Sequence, residues 1–202
     1  MAGRGGQGRD PQGPTPGSPA DTGEPANPVE VARAICLRQL TMGPRSKAQL
    51  AEALSKRNVP EAAAEQVLAR FVEVGLIDDA AFAVSWVESR HRGRGLARRA
   101  LAQELRHKGI ADAESSAALD TLGRDQEEET ARLLVERKLR GTRGLEAGAR
   151  VRRLSGMLAR KGYPPGLALH VVREALANER VVAVGDDEVD EALRRAEHEV
   201  DS

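Results

Sequence analysis

The chain has 202 residues, 40% hydrophobic and 31% charged, with 31 Lys/Arg balanced by 31 Asp/Glu. That suits one soluble domain or a string of small ones. A single cysteine, Cys36, excludes an intramolecular disulfide and fits a reducing cytosol, and the lack of an 18-residue apolar run argues against a membrane span.

Residues 1–28 hold 7 Gly and 6 Pro and little that is apolar. Such a segment cannot bury enough surface to offset its ordering entropy, so a disordered tail is expected there. From Val29 to about Leu176 the apolar residues fall at three- and four-residue steps, which predicts helices throughout. The first three are expected at Pro28–Leu40, Ser46–Arg57 and Pro60–Val74. The next three are expected at Asp79–His91, Leu96–Lys108 and Asp112–Leu122, and the last three at Asp125–Arg140, Leu145–Lys161 and Pro164–Ala177. Ser46 with Gln49, and Asp125 with Glu128, have capping-box spacing. Pro60 and Pro165 suit the first turn of a helix. Gly75, Gly123 and the pair Gly93/Gly95 mark breaks. Beyond residue 177 the chain turns acidic, and Glu188–Val200 carries only a thin apolar stripe, so a frayed tail is expected.

Three hexamers repeat through this text: LSKRNV from Leu54, LRHKGI from Leu105 and LARKGY from Leu158, spaced by 51 and 53 residues. Each reads as a helix end. The Leu packs, basic residues meet the negative end of the helix, and Asn58, Gly109 or Gly162 tolerates the left-handed stop. A near-fixed period of that length is the mark of a repeat array. The expected fold is therefore all-α. Three tandem three-helix units (29–75, 76–124 and 125–177) form an elongated curved array, with a disordered head (1–28) and an acidic tail (178–202).

The charge is unevenly placed. Residues 29–176 have a net charge of +7 and residues 177–202 a net charge of −6. Between Arg90 and Lys108 there are 7 Lys/Arg and one Glu. On a helical wheel Ala97, Leu101 and Leu105 share the core face. Arg99, Gln103 and Arg106 lie opposite, and Arg98 lies near the edge. Such a face is either ordinary solvated surface or a site for an anionic partner. The four aromatics (Phe71, Phe82, Trp86, Tyr163) are too few for base stacking to dominate. The four His lack metal-ligand spacing. RGRGLARR from Arg92 lacks the Lys–Ser/Thr ending of a phosphate loop. Asp78 and Asp79 sit at a helix start, where capping explains them. SKAQLAEAL from Ser46 has the look of the first helix of a helix-turn-helix, but no reading helix or wing follows. No enzyme and no cofactor are expected.

The stretch Leu76–Ile110 resembles the RecX family of recombination regulators. The matching residues are Asp79, Phe82, Ala83, Trp86, Ser89, Arg90, Gly95, Glu104, Leu105, Lys108, Gly109 and Ile110. RAICLRQLTMGPRSKAQLAEAL before it and RRLSGMLARKGY after it agree with the family's first and third units, so the resemblance covers about residues 30–176. It implies a cytoplasmic, monomeric regulator of DNA repair, recombination and the SOS response that lodges on RecA–DNA filaments. Such a regulator restrains strand exchange, ATP hydrolysis and coprotease function. Candidate contacts to RecA or to single- or double-stranded DNA are Arg90, Arg92, Arg94, Arg98, Arg99, Arg106, Lys108, Arg152, Arg153, Arg160 and Lys161. The alternative reading is a helical protein that binds DNA directly, without RecA.

Overall fold

The computed structural model describes residues 27–179. The Gly/Pro-rich head up to Ala26 and the acidic segment from Arg180, including the stripe at Glu188–Val200, lie outside the described residues.

All regular structure among the described residues is helical. The first unit contains α1 (Pro28–Thr41), α2 (Lys47–Ser55) and α3 (Glu61–Glu73). The second contains α4 (Asp79–Arg94), α5 (Arg98–His107) and α6 (Asp112–Asp120). The third contains α7 (Arg124–Leu139), a short 3₁₀ turn (Arg140–Thr142), α8 (Ala147–Arg160) and α9 (165–179). Each unit has its own apolar cluster. The middle helix of each supplies two leucines four residues apart: Leu50 and Leu54, Leu101 and Leu105, Leu154 and Leu158. Residues at that spacing share one helix face, and all six are essentially unexposed. Burying each one contributes about 1.5–3 kcal/mol.

The repeated hexamers end the middle helices as the spacing predicts. Asn58, Gly109 and Gly162 have φ of 56°, 71° and 90°. The amide after each donates to the carbonyl of the Leu that opens its hexamer: Val59 to Leu54 (3.2 Å), Ile110 to Leu105 (3.1 Å) and Tyr163 to Leu158 (3.2 Å). This is the Schellman pattern, and it folds the following apolar residue back onto the helix end.

The middle helices also meet end to end. Ser46 Oγ, at the N-terminus of α2, donates to the Lys108 carbonyl at the C-terminus of α5 (2.6 Å). Ala97 N, at the N-terminus of α5, donates to the Lys161 carbonyl at the C-terminus of α8 (2.9 Å). The partly negative end of one helix thus lies against the partly positive end of the next, a favourable dipole order. No hydrogen bond or ion pair among the described residues joins the first unit to the third. The units are joined in sequence, the first to the second and the second to the third. Ser46 is fully buried, caps Gln49 N and bridges to the second unit. Ser46→Ala is therefore expected to cost about 1–2 kcal/mol in urea unfolding, at the upper end for a cap because a partly buried carbonyl also loses its donor.

Several local expectations need correction. Helix α4 continues past His91 through Gly93 to Arg94, and the left-handed Gly95 closes it. His91 holds that last turn in place. It is 4% exposed, donates from Nδ1 to the Leu96 carbonyl (2.9 Å), and has Nε2 2.9 Å from Thr130 Oγ1. Asp125 and Glu128 form no capping box. Helix α7 begins one residue earlier, after extended Gly123 and with no side-chain cap, and Glu128 pairs with Arg132 instead. Pro60 occupies the cap position before α3, not its first turn. The Ser46–Gln49 box is present as expected. Asn178 and Glu179, grouped with the tail by composition, continue α9. Glu179 accepts from Arg143 (2.7 Å) and from Arg150, which hold its carboxyl below the usual range.

Candidate functional site

The candidate contacts concentrate where the second unit meets the third, and the junction itself is built from side chains the composition does not single out. Helix α5 has no side-chain cap of its own, because Ala97 occupies the cap position. Its first amide, Arg98 N, donates instead to Glu127 Oε1 of α7 (2.9 Å), and Glu127 is only 6% exposed. The first junction repeats the device, with Lys47 N donating to Asp79 Oδ1 of α4 (2.8 Å). Neighbouring Asp78 caps α4 itself through Ala81 N. A unit's middle helix is thus capped by a carboxylate from the first helix of the next unit. Tyr163 closes the second junction. Its hydroxyl donates to the Gly95 carbonyl (3.2 Å), and burial, reinforced by the nearby Glu127 charge, pushes that hydroxyl's pKa far up. Ala97 belongs to the third unit's core, with Leu154, Leu158 and Tyr163, although the wheel groups it with Leu101 and Leu105.

Around this junction the basic residues divide into three groups. The first surrounds Trp86. Arg90 lies 4.2 Å and the Lys108 ammonium 4.6 Å from the centre of its ring, both at cation–π distance. Trp86 Nε1 donates to Glu104 (2.8 Å), which also pairs with Arg90 (3.2 Å). Phe82 stacks behind the indole. Arg160 of the third unit and His107 complete the rim of an open hollow here. The second group lines a cleft of about 690 Å³ between α4 and α7, where Arg92, Arg94 and Lys161 meet Arg137. Lys161 Nζ donates to the Arg94 carbonyl. The third group points outward. Arg99 and Arg106 on α5, and Arg152 and Arg153 on α8, are exposed and form no ion pair among the described residues. Arg99 and Arg152 stand at equivalent positions, 53 residues apart.

Arg98 differs from the rest. Its guanidinium donates to the carbonyls of Leu119 (2.7 Å) and Leu122 (3.1 Å) at the end of α6 and pairs with Asp120 (2.6 Å). It caps α6 from across the unit, so its donors are engaged by the end of that helix. Sequence reasoning missed Arg137 and Glu127. Each lies more than a helix away in the chain from the residues it meets in space, and nothing local marks it. Among the described residues no group of His, Cys, Asp and Glu is arranged to hold a metal ion, and no helix is long and apolar enough to cross a membrane.

Three family models match the chain in order: the first three-helix domain of RecX at residues 32–71, the second at 78–119 and the third at 125–172. The regulatory protein RecX of Streptomyces coelicolor is 65% identical over 168 residues, spanning 83% of this chain and 89% of that protein. The RecX of Thermobifida fusca is 55% identical over 165 residues, spanning 82% and 89%. Among solved structures, RecX from Lactobacillus salivarius superposes with a TM-score of 0.68 at 17% identity, over 73% of this chain and 96% of that one. A second structure titled regulatory protein RecX gives 0.64 at 25% identity, covering 70% of each. With all three domain models matched in order on three end-to-end helical units, the chain belongs to the RecX family of regulatory proteins.

Proposed function

We propose that this protein binds RecA–DNA filaments and restrains RecA's recombinase, ATPase and coprotease activities, acting by contact alone, without a cofactor. The observation that supports this reading is the set of exposed cations on consecutive end-to-end units, in no ion pair among the described residues: Arg99 and Arg106 on α5, then Arg152 and Arg153 on α8. An array of units joined in sequence offers a long surface instead of a pocket, and a long surface meets several subunits of a helical polymer together. Linked weak contacts then multiply. Of the eleven candidate contacts, the proposed surface keeps Arg90, Arg92, Arg94, Arg99, Arg106, Lys108, Arg152, Arg153, Arg160 and Lys161, and leaves Arg98 to its capping of α6. The protein acts as a monomer.

The test is RecA-dependent ATP hydrolysis on single-stranded DNA with the purified protein added. Hydrolysis should fall at stoichiometric amounts, and no change would overturn the proposal. The triple charge reversal R92E/R94E/R99E should raise the concentration needed for half-inhibition at least about tenfold, equivalent to ~1.4 kcal/mol of binding. The direct DNA-binding reading predicts tight association with naked duplex or single strands and a steep fall with salt. Weak association at physiological salt, together with strong inhibition of RecA, rejects it.

A further inference from the structure

The cleft between α4 and α7 gathers three arginines. Its rim carries Arg92, Arg94 and Arg137, none of them in an ion pair among the described residues, and a single carboxylate, Glu88. Apolar side chains line it as well. Leu133 is 43% exposed there, beside Leu134 and buried Leu122. A phosphodiester strand would satisfy the rim and leave those leucines against water. The surface asks for a ligand that is acidic and apolar at once, which is a peptide.

The chain contains such a peptide. Residues 181–193 read VVAVGDDEVDEAL, with five carboxylates and no base. Val189 and Leu193 are four residues apart, the spacing at which two side chains share one face of a helix. The described chain also ends near the cleft. Glu179 is held by Arg143 and Arg150, just past the C-terminal end of α7, and Arg137 lies six residues before Arg143. Six residues at α or 3₁₀ rise span ~9–12 Å, while the ten residues from Arg180 to Val189 reach up to ~35 Å. A tether of that length holds the segment at a local concentration of roughly millimolar.

The geometry points to intramolecular docking of the acidic segment 181–193 in the α4–α7 cleft, with its carboxylates on Arg92, Arg94 and Arg137 and its Val and Leu on Leu133. The docked segment covers two of the arginines assigned to the filament. An anionic partner must displace it, so the protein is partly self-inhibited.

The experiment uses the full chain, alone, in dilute solution with oxidised glutathione. Leu133→Cys and Val189→Cys are introduced together, while Cys36 stays in place because it is fully buried. A control pair joins Val189→Cys to Leu37→Cys, which is 45% exposed on α1. The expected result is a monomeric disulfide at Leu133–Val189 forming at least tenfold faster than the control. Neutralising the segment (Asp186→Asn, Asp187→Asn, Glu188→Gln, Asp190→Asn, Glu191→Gln) should slow it at least fivefold. Equal rates for the two pairs, no effect of neutralisation, or disulfide-linked dimers in place of monomers would each overturn the proposal. Neither RecA nor DNA is present, so failure here leaves the filament reading intact.

Discussion

Gly162→Ala is expected to lower the stability of the chain by about 3 kcal/mol. Gly162 has φ +90°, and a Cβ placed on it would lie 2.5 Å from the Ala100 backbone nitrogen and 2.8 Å from the Ala100 Cβ. The left-handed conformation costs ~1–2 kcal/mol for a residue with a side chain. Forcing a methyl into a closed contact adds ~1–3 kcal/mol. The obstacle is backbone on an adjacent helix, so it cannot swing aside as a long side chain would. Gly75→Ala is the control. Gly75 has φ +71° and open space around the site of its Cβ, so only the conformational cost applies. Urea unfolding followed by helical circular dichroism separates the two. The Gly162→Ala curve should also broaden, because the third unit melts apart from the others. Equal losses for the two variants would mean that the second junction is not closed in solution.

Glu127→Ala should remove about 2 kcal/mol, the second-largest effect. Its carboxylate is the cap of α5, so removal leaves Arg98 N unpaired in a buried place and takes a negative charge from a helix N-terminus. Glu127→Gln keeps an acceptor and should recover about half. Asp79→Ala breaks the matching bond to Lys47 N, but Asp79 is only half-buried, and water replaces part of what is lost. The loss there should stay near 1 kcal/mol. A larger loss at Asp79 than at Glu127 would contradict this account of how the units are joined.

These side chains show where sequence reading reaches and where it stops. The three units were legible because their signals are local. The paired leucines sit at helical spacing, and Asn58, Gly109 and Gly162 close helices that need a left-handed residue. The capping box at Ser46 was legible for the same reason. The junctions were not. Glu127 and Arg98 are 29 residues apart, and Ser46 and Lys108 are 62 apart. Ser46 looks like an ordinary cap until the neighbouring unit's carbonyl is seen to use its proton. The end of α4 was misplaced because Gly93 is a weak helix former, while the anchor that overrides it, His91 against Thr130, belongs to two units. Of the candidate surface, the exposed positions of Arg99, Arg106 and Arg152 followed from the wheel. The use of Arg98 to cap α6 did not, since it depends on α6 ending beside it.

The three helix-ending turns differ in one atom that matters. Gly109 lies against Ala48, where an added Cβ would come within 2.3 Å of the Ala48 side chain, and Gly162 lies against Ala100. Those two turns are plugs, each seated in the unit before it. The third copy of the plug, after α2, is exposed, and it carries Asn58 in place of glycine. A second molecule that offered the start of its α8 to that turn would meet a side chain where the internal joints accept bare backbone. In the language of polymer chemistry, Asn58 is a terminated chain end. The side chain at Asn58 thus stands where the two internal joints present bare backbone.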